Sequence, residues 1–98
     1  MAQIEIISEK EFAGGWAFDV QVLDDAGALS KHRVTLSWAD YNLWSADGAD
    51  EPARVIEAVM LFVSSQTPPH DLAEKFDAST IRRRFAEADL RIPKMIRR

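Results

Sequence analysis

Two histidines, sixteen carboxylates and no cysteine define the chemistry open to this 98-residue chain. Without a thiol there is no disulfide, thiolate metal site or cysteine nucleophile. His32 can serve as a general base or a metal ligand. It also shares a strand face with Val34 and Leu36, where a histidine at the rim of a core is the simpler reading. His70 sits in "PPHD", and a mixed site of His70, Asp71 and Glu74 is the one conceivable metal constellation. Two histidines without ligand spacing are a weak signal for it. Glu9, Glu11, Asp24, Asp25, Asp47, Asp50 and Glu51 are candidates for an acid–base pair. Most of them fall in turns and caps, where a carboxylate serves the backbone. The glycines mark turns, and neither a phosphate-cradling loop nor a nucleophile elbow is present. The chain is therefore expected to carry no catalytic residue, no cofactor and no metal.

The elements that would position these groups are legible from periodicity. Ile4 and Ile6 are in phase, so residues 3–8 form a short strand. Gly14-Gly15 turns the chain, and Trp16, Phe18, Val20 and Val22 then alternate with Ala17, Asp19 and Gln21. "DDAG" at 24–27 makes a hairpin turn, and His32, Val34, Leu36 and Trp38 share the next apolar face. Three strands joined by short loops predict an antiparallel meander.

Helical signals follow. Ser37 caps a short helix over 38–44, with Asp40 three positions on. Asp50 is the expected cap of the main helix, with Pro52 early, where proline costs least. Val55, Ile56, Val59, Phe62 and Val63 form its apolar face. The prolines of "TPPHD" stop it. Residues 72–76 are read as a turn of helix. Asp77 or Ser79 caps a last helix to about Ala88, and Pro93 ends regular structure. The expected fold class is α+β in two layers, a three-stranded N-terminal meander covered by two to three C-terminal helices in the order β-β-β-α-α-α. The domain is expected to span 1–92, with 93–98 a basic, disordered tail.

Two surfaces remain as candidate sites. Trp38, Tyr41 and Trp44 recur every three residues on the short helix, and three large aromatics are many for it to bury. Leu61 falls away from the main apolar face, so that helix must touch a second neighbour, either the last helix or another copy of the chain. These four are the candidate partner-binding residues. The second surface is basic. From Met1 to Ile81 there are 5 Lys/Arg against 14 Asp/Glu, net −9, and from Arg82 to Arg98 there are 7 against 2, net +5. Arg82, Arg83, Arg84, Arg91, Lys94, Arg97 and Arg98 are thus candidate anion or nucleic-acid contacts. A helical spacing fans the first three over about 200° instead of aiming them together, and the acidic body repels phosphates.

The residues His32 to Ser37, Asp40 and Tyr41 ("HRVTLSWADY"), with Phe76, Asp77, Ile81 and Phe85 ("FDASTIRRRF"), resemble a family of small uncharacterised bacterial proteins. The resemblance spans about 32–92. It implies one compact bacterial domain and carries no assigned activity.

Hydrophobic residues are 47% and charged residues 29%, ordinary for a globular chain. No apolar run approaches the ~18 residues of a membrane span, and the start has no signal-peptide pattern, so a soluble cytoplasmic protein is expected. The leading function is a small non-catalytic protein that acts through protein contacts, with a homodimer among the options. The alternatives are a nucleic-acid accessory using the basic segment and a small-ligand binder or enzyme with His32 near a pocket. No membrane partner is expected.

Overall fold

The computed structural model describes residues 2–96. It is an α+β domain with a four-stranded mixed sheet in the order β1-β2-β3-β4. Strand β1 (Gln3–Phe12) pairs antiparallel with β2 (Gly15–Leu23), and β2 pairs antiparallel with β3 (Leu29–Ser37). Helices α1 (Trp38–Trp44) and α2 (Pro52–Gln66) follow, then a single 3-10 turn, Pro69–Asp71. The chain returns to the sheet as β4 (Lys75–Asp77), parallel to β3, and ends with α3 (Ser79–Arg84) and α4 (Ala88–Ile96).

The meander is thus present, with a fourth strand added at its far edge. Residues 72–76 are not a helical turn. Thr35 and Asp77 lie opposite each other in β3 and β4, and the Thr35 hydroxyl donates to the Asp77 carboxylate at 2.5 Å. Three residues are too few to show an alternation in sequence, so this strand is made by its partner and not by its own pattern.

The first strand is also longer than its apolar phase suggests. The register shifts between Ile6 and Ser8, leaving Ile7 as a bulge. Beyond it, Ser8 and Lys10 stand opposite Asp19 and Ala17, while Glu9 and Glu11 stand opposite Phe18 and Trp16. The bulge turns these two charges to the helix-covered side of the sheet, where they are exposed. A bulge and inward charges on an edge strand both discourage pairing with another chain.

The helices cover one face. Phe18, Val20, Val22, Val34 and Leu36 of the sheet pack with Val55, Ile56, Val59, Phe62 and Val63 of α2 in one core. Helix α4 rests on the far side of α2 and adds Ala88, Ile92 and Ile96. The second neighbour that α2 required is therefore α4.

Three helix boundaries differ from expectation. Asp50 does not cap α2; Glu51 stands at that position, and the Asp50 carboxylate accepts from the Ser45 hydroxyl at 2.7 Å. The last helix is broken in two at Phe85, which turns extended and sets its ring edge-on to Phe62, centroids 5.8 Å apart. Pro93 does not end regular structure but lies inside α4. It removes one hydrogen bond, and burial of Ile92 and Ile96 against α2 outweighs that loss. Arg54 donates to the Ile96 carbonyl at 3.1 Å and closes that end. Residues 93–96 are thus helix instead of disordered tail, and Arg97 and Arg98 lie outside the described residues.

Candidate functional site

Two sides of α1 gather several of the residues singled out by type. One side is closed. Ser37 accepts the Asp40 amide at 3.1 Å, as its sequence position predicts, and this places the Asp40 carboxylate inward, 4% exposed. Arg82 of α3 reaches it at 2.9 Å, and also forks the Asp89 carboxylate at 2.9 and 3.2 Å. Asp89 in turn accepts the Trp44 indole N–H at 2.9 Å. One arginine thereby ties α1, α3 and the start of α4. The Arg82 hydrogen bond, working against partial burial and aided by Trp44, holds the Asp89 carboxyl below the usual aspartate range. The same contacts raise Arg82 further above its ordinary value.

The other side stays open. Trp38 is 44% exposed. Its ring sits 4.4 Å from that of Trp16 and edge-on to Tyr41 at 6.3 Å, while Trp16 and Tyr41 are 5.2 Å apart. Trp16 and Tyr41 are buried, and the Tyr41 hydroxyl lies within bonding reach of the Gly48 and Asp50 carbonyls. The base is rigid as well: the Trp38 amide donates to the Gly14 carbonyl at 3.2 Å. Gly15 allows this packing, because a Cβ there would meet the Leu36 carbonyl oxygen at 2.0 Å, and its φ of +150° suits glycine. Glu11 stands opposite Trp16 in the ladder, so the two share a face. Trp38 alone of the four partner-binding candidates is openly exposed. Tyr41 and Trp44 are core residues, and Leu61 is half-buried along a cavity of about 360 Å³ that Arg91 and Met95 of α4 also line.

The basic segment does not form one surface. Arg82 is held by two carboxylates. Arg84 lies over the Phe85 ring at 5.2 Å and Arg91 over Phe62 at 5.4 Å. Arg83 and Lys94 are exposed. Arg83 and Glu87 do not share a helix, because the break at Phe85 separates them; Glu87 instead meets Arg91 at 3.6 Å.

His32 is 5% exposed. Its Nδ1 is 2.8 Å from the Ala73 carbonyl, which can only accept, so Nδ1 carries a proton. Nε2 is 2.9 Å from the Ser30 hydroxyl, so both ring nitrogens are engaged. His32 borders an open cleft of about 410 Å³ with Asp19, Gln21, Lys31, Arg33, Glu74 and Lys75. Arg33 bonds Asp19 there at 2.9 Å. The His70 ring is 3.6 Å from Asp71, and no group of three or more possible metal ligands occurs among the described residues. Among those residues, no helix is long and apolar enough to cross a membrane.

Sequence alone does not group two members of the open corner with Trp38. Trp16 falls on the core face of its strand with no sign of its neighbour. Glu11, a candidate only as an acid–base carboxylate, lies past the expected end of the first strand, and only the bulge at Ile7 brings it to that face. Comparison of the chain with protein-family models, curated proteins and solved structures gives no match.

Proposed function

We propose that this chain is a small non-catalytic domain that works through contact with a protein, and that the contact centres on Trp38. The observation that carries the reading is an exposed indole on a buried, hydrogen-bonded base of Trp16 and Tyr41. A large aromatic side chain already ordered before binding loses little entropy on docking, which is why Trp and Tyr anchor interfaces. Exposure of Trp38 is not needed to hold α1, since Tyr41 and Trp44 already bury that helix. The partner is another protein or a second copy.

The nucleic-acid reading draws less support. Arg82 is spent on Asp40 and Asp89, and Arg84 and Arg91 lie against phenylalanine rings. A role for His32 as a base is opposed by its burial and by the partners on both ring nitrogens.

Site-specific photo-crosslinking tests the proposal. With p-benzoylphenylalanine replacing Trp38, irradiation of producing cells is expected to give one adduct of defined mass. The same probe at the exposed Gln66 should not give it. Identical adducts at both positions, or none at Trp38, would refute the proposal.

A further inference from the structure

Resting on that reading, we infer that the Trp38 surface takes a basic segment of its partner, with an arginine or lysine cation lying on the Trp38 indole and Glu11 supplying the counter-charge.

The geometry supplies both halves of such a site. Indole is the strongest of the natural cation–π acceptors. Trp38 leaves 44% of its surface open while Trp16 and Tyr41 fix its position. The register then puts carboxylates on the same side of the sheet. Glu11 faces Trp16 and Glu9 faces Phe18 across the β1–β2 ladder. Both are exposed, and neither makes an ion pair with a described residue. Lys10 stands opposite Ala17 and so points to the other face, where it does not neutralise them.

The rest of the molecule sharpens the point. Arg84 and Arg91 cover the rings of Phe85 and Phe62. Among the described residues no cation covers Trp38, although its ring is the better acceptor. The internal arginines are engaged at the α3–α4 side, and the open corner has an aromatic face and two carboxylates without a cation. The wider charge agrees, because the whole chain carries 12 Lys/Arg against 16 Asp/Glu, net −4. Such a field draws basic segments and repels acidic ones.

The test uses the whole protein, labelled with nitrogen-15. It is titrated with three ten-residue peptides that differ only in carrying four arginines, four glutamates or four serines. The Trp38 indole N–H signal is expected to move with the arginine peptide alone, and the affinity to fall as salt rises. Glu11→Gln should weaken binding about two- to fivefold. Trp38→Ala should weaken it about fivefold, read from the Trp16 indole signal. An unchanged amide spectrum away from this corner shows that each variant is folded. The inference falls if the arginine and glutamate peptides act alike, if neither acts, or if both variants bind as the parent does. When that happens while the Trp38 photo-adduct persists, the protein-contact reading stands and only the basic partner is wrong. When the adduct is a second copy and the arginine peptide does not compete with it, the occupant is the chain itself and the inference is again overturned. Loss of the adduct removes the parent reading.

Discussion

Two sides of α1 treat the same residue types in opposite ways. On the side of Asp40 and Trp44, an indole, an arginine and two aspartates bond to one another. On the side of Trp38, an indole and two glutamates share a face, with no described cation paired to them. The difference teaches that composition does not decide whether a charged or aromatic residue is structural. What decides it is whether a complementary group can reach it. Arg82 can reach Asp89, seven residues on, because the helix breaks at Phe85. Among the described residues, no cation is placed over Trp38 in this way.

Damage on the two sides should therefore differ in size. The largest loss is expected from Trp44→Ala, which empties a fully buried indole site and strips Asp89 of a donor; about 3–5 kcal/mol of unfolding free energy should disappear in a urea titration. Next is Arg82→Ala. It removes the Arg82 contact from the buried Asp40 carboxylate, whose other oxygen already lacks a partner, for a cost of about 2 kcal/mol. Adding Asp40→Asn to that variant should recover part of the loss, since no bare charge remains inside. This corner also sets an acid limit. Asp89 has a lowered folded pKa, so its stabilisation is present above the ordinary aspartate value of about 4 and is lost as pH falls through the folded one. Thermal melts from pH 6 to pH 2 should therefore fall less steeply below pH 4 in Arg82→Ala than in the parent. The smallest effect belongs to Trp38→Ala, about 1 kcal/mol or less, because nearly half of that side chain is already in water. A loss there as large as that of Trp44→Ala would mean that the open side is structural after all.

How much of this was legible in the sequence follows from range. Strands with clean alternation, such as that of Phe18, Val20 and Val22, announce their inner face directly. The Ser37 cap was equally plain, because donor and acceptor are three residues apart. What could not be read depends on distant partners. Strand β4 has no pattern of its own and exists through β3. Val34 lies beside Phe76 and the Thr35 hydroxyl donates to Asp77, a pairing that spacing alone does not reveal. Pro93 was read by its local cost, and the burial of Ile92 and Ile96 overrode it. In the candidate site, Trp38 was singled out by type, and Tyr41 and Trp44 were grouped with it because periodicity cannot tell a buried aromatic from an exposed one. Glu11 depended on a one-residue bulge, which reverses the facing of every side chain beyond it.

The parallel seam between β3 and β4 also has a consequence in time. Its partners are 42 residues apart, and the whole of α1 and α2 lies between them. The first three strands need only short turns, so they can form while the chain is still being made. The free side of β3 is then unsealed until residues 75–77 have left the ribosome. During synthesis that edge is open to foreign strands, and the last quarter of the chain closes it.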